Sequence, residues 1–387
     1  LKFQYINDLY GYDEGNLILV KIAKILNNLL QEKEFCARIQ ADHFVALLQY
    51  DSVTQLKKRA EYMIKNMENA INSNDEAAYR IKMIVGIYLI ENYNDRIESM
   101  VNRAATVIRD ENRHELENCN FYNDNIRQRM YKNKELEDLF EEALHNHEFE
   151  VYFQPKYELD HCRPSGAEAL VRWKKADGTI VSPGDFIPVF ESNGFIIRLD
   201  YYVWDQVCQF IKNNLAHRGD SEVISVNVSR VNLYNPDFLE SLVNLVEKYK
   251  IPPKYLNLEL TESAFSDDAR MIQNAVDYLH KAGFTILMDD FGSGYSSLNV
   301  LKDIDIDVLK IDMRFLSKGS SEERGEKILE AVIKMAKSLD MLVIAEGVEE
   351  EKQVKMLKRL GCDYIQGYYF AKPMPKKDYV KLLQKSR

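Results

Sequence analysis

Apolar and polar positions in the first part of the chain follow two different periods. Helical spacing predicts amphipathic helices at Gly15–Leu30 and Gln55–Asn72. Short apolar runs rich in β-branched and aromatic residues predict strands at Phe35–Ile39, Phe44–Gln49 and Ile81–Ile90. The first two strands flank the polar segment RIQADHF, which indicates an antiparallel hairpin. Together these elements predict a compact α/β domain.

A polar, charged segment without Gly or Pro follows, from Asp110 to Glu142. Its apolar residues recur near helical spacing: Ile126, Met130, Tyr131, Leu136, Leu139 and Phe140. We therefore predict a helical connector at 119–136, between a first domain at 1–118 and a second at 137–387. A solvated surface helix within one domain is the alternative interpretation.

Beyond the connector, β-rich runs recur, most of them separated by helical stretches. There are eight runs: FEVYFQPKYEL, AEALVRW, VISVNVS, LNLELTE, FTILMDD, DVLKID, MLVIAEG and YIQGYYF. Strand–helix alternation predicts a parallel sheet, and eight units in about 250 residues is the usual size of a closed (β/α)8 barrel. The first two runs lie too close together for a full helix between them, so we expect an antiparallel first strand.

Composition narrows the class of protein. A net charge of −10 disfavours sequence-independent binding of DNA or RNA, which requires clustered basic residues. The five cysteines are scattered and form no C-x-x-C pair, which argues against a disulfide framework or zinc ribbon and suits a reducing cytoplasm. No apolar run approaches the ~18 residues of a membrane helix. The chain begins at Leu1 rather than Met, so we expect a missing upstream segment, which could contain a sensor or membrane anchor.

Six consecutive predicted strands carry a polar or charged residue at or near their C-terminal end, where barrel chemistry gathers. These residues are Glu168, Asn227, Glu259, the pair Asp289–Asp290, Lys310 and Glu346. Any one of them alone is typical of a rim salt bridge or a helix cap. Their recurrence at the matching end of successive strands predicts a shared site instead.

The predicted site concentrates negative charge. Five carboxylates at one barrel mouth repel one another, and two divalent cations with Lys310 would cancel that charge, since −5 + 4 + 1 = 0. Oxygen ligands without His or Cys favour Mg²⁺ or Mn²⁺ over zinc. Two such ions about 3.5–4 Å apart support in-line phosphoryl displacement. Lys310 could orient the attacking water, assist its deprotonation or neutralise the transition state.

The second domain resembles the EAL family of bacterial cyclic di-GMP phosphodiesterases, over about Leu136 to Leu383. The matching segments are YFQPKYEL, EALVRW (Glu168–Trp173), SPGDFIPVFE, SVNVS, LELTES, MDDFGSGYSSL, LKID, AEGVE and QGYYFAKP. The resemblance implies hydrolysis of cyclic di-GMP to linear pGpG with two Mg²⁺ or Mn²⁺ ions per site, and a homodimer formed through this domain.

The resemblance also implies roles for individual residues. The first metal would be bound by Glu168, Asn227, Glu259 and Asp289, and the second by Asp289, Asp290 and Glu346. Lys310 would act on the attacking water. The implied supporting residues are Glu262, which braces the loop DFGSGYSSL, and Glu349, on the side of the second metal. Gln154, Arg172 and Gln366 resemble substrate contacts.

The first domain resembles the GGDEF domain of diguanylate cyclases in degenerate form. Its signature reads Gln40-Ala41-Asp42-His43-Phe44, so both glycines and one acidic residue are replaced. The inhibitory R-x-x-D motif reads Gln31-Glu32-Lys33-Glu34, and Asn16 stands where the guanine pocket has an aspartate. The family's metal-binding aspartate would precede residue 1. The resemblance therefore implies a structural or regulatory domain; Asn7, which is retained, leaves GTP binding open.

Two rival functions are open. A non-catalytic cyclic di-GMP receptor, signalling through a partner protein, would lack part of the metal set, whereas this chain retains all of it. A diguanylate cyclase would need the intact signature that Gln40–Phe44 lacks. We therefore expect an active, cytoplasmic phosphodiesterase.

Overall fold

The structure is a computed structural model that describes residues 3–72, 80–109, 118–214, 223–266, 269–292, 301–313 and 322–385. It divides into two compact units, Leu1–Glu135 and Leu136–Arg387. Among the described helices, none is both long enough and apolar enough to cross a membrane.

The first unit contains helices and two small sheets. Its elements are α1 (Phe3–Tyr10), α2 (Tyr12–Leu29), β1 (Phe35–Gln40), β2 (His43–Leu47), α3 (Val53–Asn72), β3 (Val85–Ile87), α4 (Ile97–Arg109) and β4 (Cys119–Phe121). Strands β1 and β2 pair antiparallel, which confirms the predicted hairpin, and β3 pairs parallel with β4. Apolar faces of α2 and α3 form the core, in which Ile18, Ile22 and Leu26 lie with Met63 and Met67.

The predicted helical connector at 119–136 was wrong at its start. Cys119–Phe121 is a strand, and helix α5 begins only at Asp124 and runs to His145. The long-range pairing of Val85 with Cys119, and the burial of Cys119 against Ala60, outweigh the helical spacing of this polar segment. The expected strand at Ile81–Ile90 is likewise confined to β3.

The second unit is a closed barrel. Its strands are β5 (Phe149–Glu158), β6 (Arg163–Lys174), β8 (Ile224–Asn227), β9 (Leu256–Thr261), β10 (Thr285–Phe291), β11 (Val308–Asp312), β12 (Leu342–Glu346) and β13 (Tyr364–Ile365). They pair in chain order, and β13 closes the barrel on β5. Strand β5 is antiparallel to both neighbours, β6 and β13. The eight predicted strands and the antiparallel first strand are confirmed.

Helices cover the barrel, and two short strands extend its sheet. The helices are α6 (Pro183–Asn193), α7 (Ile196–Asn214), α8 (Arg230–Leu233), α9 (Phe238–Tyr249), α10 (Ala269–Lys281), α11 (Glu322–Ser338), α12 (Glu351–Leu360) and α13 (Lys376–Lys385). The added strands are β7 (Ile180–Val181) on β6 and β14 (Met374–Pro375) on β5. Alternate strand residues such as Leu258 and Leu260 pack in the main hydrophobic core, which leaves the intervening residues to the barrel interior.

Candidate active site

The barrel interior changes from apolar to charged along its strands. Leu287, Val308 and Ile344 form a small buried apolar cluster inside the barrel. Two residues further along the same three strands stand Asp289, Lys310 and Glu346, on the same faces. The strand period of two therefore stacks a charged layer directly on an apolar floor, toward the C-terminal ends of the strands.

Lys310 lies at the centre of the charged layer and is fully buried. Its Nζ is 2.6 Å from Glu346 Oε1, 3.1 Å from Asp289 Oδ1 and 3.4 Å from Glu168 Oε2. It also forms an ion pair with Glu259 Oε2. Four strands thus direct carboxylates at one ammonium group, which gathers four of the five predicted acidic residues into one site.

A second buried cation, Lys156 on β5, lies beside Glu259. Its Nζ is 2.8 Å from Glu259 Oε1 and donates to Ser225 Oγ at 2.5 Å. Four carboxylates and two lysines sum to −4 + 2 = −2, and the neighbouring Asp290 brings the sum to −3. Lys156 and Ser225 were not among the predicted site residues. Alternation could have found both, since each lies two positions from a predicted site residue, Gln154 or Asn227.

Side-chain amides hold Glu168 from two sides. Asn227 Nδ2 donates to Glu168 Oε1 at 2.9 Å, and Gln366 Nε2 donates to Glu168 Oε2 at 2.7 Å. Gln366 Nε2 also lies 3.2 Å from Gln154 Oε1. Trp204 Nε1 fixes the strand end at Asn227 by donating to its carbonyl oxygen at 3.1 Å. These contacts restrict the rotamer of Glu168 before any ligand binds.

A β-bulge lies at the Asp289–Asp290 pair. Met288 and Phe291 are three positions apart on β10, while their partners on β11, Leu309 and Ile311, are two positions apart. Asp290 has a φ of 56° in the left-handed region, and its N–H donates to Asp289 Oδ1 at 2.9 Å. Asp289 is buried in the cluster, whereas Asp290 is exposed next to it. The bulge thus gives these neighbouring acids different environments.

The protonation preferences of the cluster reflect excess negative charge. Burial lowers the pKa of Lys310, but the surrounding carboxylates outweigh burial and hold that pKa well above its usual range. Burial raises the pKa of Glu346 to about 8; Lys310 opposes the rise and neighbouring carboxylates reinforce it. Burial also acts to raise the pKa of Glu259, but Lys156 and Lys310 together lower it to about 2.

The donor set fits a hard divalent cation. One carboxylate oxygen each from Glu168, Glu259 and Asp289 lies within 4.8 Å of the other two. Asn227 adds an amide group beside Glu168. All of these side chains offer oxygen donor atoms, which suit Mg²⁺ or Mn²⁺.

The predicted supporting residues differ in position. Glu262 is buried, and its Oε2 accepts the N–H of Gly292 at 3.0 Å, at the start of the loop it was expected to brace. The rest of that loop, 293–298, lies outside the described residues. Glu349 is exposed, and its backbone N–H donates to Gln353 Oε1 at 2.8 Å. Within the described part of the chain, no contact brings the Glu349 carboxylate into the cluster.

The β5–β6 hairpin forms a wall next to the charged layer. Gln154 pairs in register with Glu168, Tyr152 with Leu170 and Glu150 with Arg172. These residues share one face of the hairpin because they alternate along each strand. Arg172 is partly buried, and its guanidinium lies 5.9 Å from the centre of the Tyr152 ring. The wall therefore places a cation and an aromatic ring on the site's side of the hairpin.

Fold and site together define the class: a (β/α)8 barrel with an antiparallel first strand and an acidic site at the strand ends. Within this class, the model of the EAL domain family matches residues 137–373. The chain belongs to the EAL family. A second family model, diguanylate cyclase, GGDEF domain, matches residues 1–117.

Two curated relatives align with nearly the whole chain. The signaling protein YkoW of Bacillus subtilis is 30% identical over 99% of this chain and 48% of its own length. The bifunctional diguanylate cyclase/cyclic di-GMP phosphodiesterase MucR of Pseudomonas aeruginosa is 29% identical over 96% of this chain and 54% of its own. The chain thus spans about half the length of these relatives.

Among solved structures, the PaMucR phosphodiesterase in complex with c-di-GMP is 31% identical, with a TM-score of 0.60. It covers 63% of this chain and 99% of its own. The EAL enzyme Bd1971, bound to cAMP and cyclic di-GMP, is also 31% identical, with a TM-score of 0.62 over 66% of this chain and 69% of its own.

Proposed function

We propose that this chain hydrolyses cyclic di-GMP to linear pGpG at the barrel mouth, with two divalent ions. The observation that carries the proposal is the convergence of Glu168, Glu259, Asp289 and Glu346 on Lys310. The names of related proteins and of the aligned complexes support cyclic di-GMP as the substrate. Cytoplasmic location and dimerisation through the barrel stay predictions.

The chain's own residues define how the site would work. Glu168, Asn227, Glu259 and Asp289 would hold one ion, and Asp289, Asp290 and Glu346 the other. Bound ions would supply Lewis acidity toward the phosphodiester and the attacking water. Lys310 contacts four of the carboxylates, so it would orient the attacking water, assist its deprotonation or neutralise charge in the transition state.

Substrate contacts would come from the β5–β6 wall and from Gln366. Arg172 is suited to a phosphate oxygen because its guanidinium forms charge-assisted, bidentate hydrogen bonds. Its pKa is lowered by burial, which indicates a partly desolvated guanidinium that an anion would stabilise. Gln154 and Gln366 would offer amide groups to the ligand while they orient Glu168.

We infer that the first unit has no cyclase activity. Its signature residues form the tight turn between β1 and β2, where Ala41 adopts a φ of 42° and its carbonyl accepts a hydrogen bond from Arg38 Nε at 2.6 Å. Ala41 thus has a side chain at a turn position where GGDEF domains have glycine. Glu34 of the replaced inhibitory motif is buried in an ion pair with Arg59. A structural or regulatory role agrees with both observations.

One assay tests the proposal. The purified chain is incubated with cyclic di-GMP and Mn²⁺ or Mg²⁺, and chromatography follows the appearance of pGpG, with EDTA as the metal-free control. We expect metal-dependent turnover in the parent and none in Glu168→Ala or Asp289→Ala, each shown to be folded by circular dichroism. Binding of cyclic di-GMP without product would instead indicate the receptor function, and parent-like rates in either variant would refute the site assignment.

A further inference from the structure

Lys156 is a buried charge to which the proposed mechanism gives no role. It lies on β5, two residues after Gln154, and is 3% exposed. Its ammonium contacts two groups, Glu259 Oε1 and Ser225 Oγ. Lysine is almost never buried this deeply unless it is paired, so its position here requires an explanation.

Lys156 distinguishes the two oxygens of Glu259. Oε1 faces Lys156, whereas Oε2 contacts Lys310 within the group of carboxylates. The terminal torsion of a glutamate is otherwise broad, so an unheld carboxylate samples many orientations. The bond to Lys156, anchored in turn on Ser225, restricts that torsion.

We propose that Lys156 is a positioning residue that holds Glu259 Oε1 and thereby presents Oε2 to a divalent cation among Glu168, Glu259 and Asp289. The inference rests on the proposed function, because it assigns Glu259 as a metal ligand. Groups that hydrogen-bond a ligating carboxylate typically change metal affinity about 10–100-fold when removed. Lys156 has the geometry of such a group, since it contacts the ligand residue on the oxygen opposite the site.

A charged donor at this position also affects the anionic substrate. Asp290 and the four carboxylates around Lys310 contribute −5, the two lysines +2 and two divalent ions +4, a sum of +1 that a phosphodiester of charge −1 would balance. Without Lys156 the loaded site would sum to 0, and the bound substrate would leave it at −1. Loss of this charge should therefore raise KM for cyclic di-GMP, independently of metal affinity.

The test compares two neutral variants of the full chain by calorimetric titration with Mn²⁺ alone. Lys156→Met keeps the length of the side chain and removes the donor, whereas Lys156→Gln keeps a donor without charge. We expect Mn²⁺ binding to weaken by about tenfold or more in Lys156→Met and by about threefold or less in Lys156→Gln. At saturating Mn²⁺, both variants should show a raised KM with a kcat near the parent's.

Parent-like Mn²⁺ affinity in Lys156→Met would overturn the proposal, as would equal weakening in both variants, which would indicate a general disturbance of the buried site rather than loss of the donor that orients Glu259. If Lys156→Met does not fold, Ser225→Ala decides, because it removes the other partner of Lys156 from a fully buried site. Weakening of about twofold or more there supports the proposal, and unchanged affinity contradicts it. A parent that binds Mn²⁺ without hydrolysing cyclic di-GMP would refute the proposed activity, yet leave the Mn²⁺ comparison valid.

Discussion

Acidic and basic side chains in the charged layer compensate one another's charge. Lys310 contributes most to this compensation, because it contacts four carboxylates. Removing one partner of a buried ionic group leaves uncompensated charge and typically costs about 3–5 kcal/mol. Here four carboxylates would lose a common cation that is fully buried. Both the stability of the barrel and the proposed catalytic reaction should therefore depend on Lys310.

If the proposed mechanism holds, Lys310→Met should lower kcat for cyclic di-GMP by about a hundredfold or more, because the site loses the buried donor proposed to act on the attacking water. Its melting temperature should fall without metal and recover on addition of Mn²⁺, since a divalent cation can replace the lost charge. Differential scanning fluorimetry and steady-state kinetics measure the two effects. A variant with the parent's kcat would remove Lys310 from the mechanism.

A second residue-scale pair stabilises the first unit. Glu34 accepts hydrogen bonds from the backbone of Gln31 and Gln49, and its carboxylate forms an ion pair with Arg59 at 2.5 Å. The Arg59 hydrogen bond is the largest influence on the pKa of Glu34; burial opposes it, and the backbone bonds add to it, so the pKa falls to about 2. Because the folded-state pKa is depressed, the stabilisation is present above about pH 4.5 and is lost as the pH falls toward 2.

Glu34→Gln should therefore destabilise the first unit by about 1–3 kcal/mol at pH 7, with a difference from the parent that shrinks as the pH approaches 2. Hydrogen exchange of peptides from α3 measures it. The matched control is Glu61→Gln, a change at an exposed residue of α3, the helix that carries Arg59. It should leave hydrogen exchange unchanged. An equal difference from the parent at both ends of the pH range would contradict this account of Glu34.

At the scale of elements, the segment after β12 determines where Gln366 lies. Val348 N donates to Gln366 O at 3.3 Å, and Tyr369 N donates to Val348 O at 3.0 Å. A Cβ on Gly367 would stand 2.1 Å from the carbonyl oxygen of Val348 and 2.4 Å from its nitrogen. Only glycine fits this approach between two backbone segments.

Gly367→Ala should destabilise the barrel by about 1–3 kcal/mol and lower turnover, because the clash displaces Gln366 from Glu168. Gly184→Ala in the first turn of α6 is the matched control, since its nearest contact would be 3.7 Å away. Thermal melts and rates of both variants test the prediction. If Gly367→Ala melts and turns over like Gly184→Ala, the packing argument is wrong.

The elements also show what the sequence could predict. Strands that are buried on both faces have long runs of apolar residues. All eight barrel strands were therefore predictable from these runs, and the antiparallel first strand from the short distance between the first two. Strand β4 was not predictable, because a three-residue strand has no recognisable sequence pattern. It forms by pairing with β3, which is distant in the sequence. Lys156 was missed for a different reason: lysine is expected at the surface, so its inward-facing position two residues from Gln154 was overlooked.

For the whole molecule, metal binding should act on one of the two units. The candidate ligands Glu168, Glu259 and Asp289 all belong to Leu136–Arg387. A ligand that binds only the folded state stabilises it by about 2.7 kcal/mol at a hundred times its Kd. Mn²⁺ should therefore slow hydrogen exchange in peptides from β9 to β12 and leave peptides from α2 and α3 unchanged. Equal protection of both units would contradict a barrel-confined site.

The most direct test of the central claim counts the ions. Calorimetric titration of the parent chain with Mn²⁺ should reveal about two sites, and the double variant Glu168→Gln/Asp289→Asn, which keeps side-chain size and removes two ligand charges, should lose them while remaining folded. A double variant that binds the same number of Mn²⁺ ions with the parent's affinity would contradict the account.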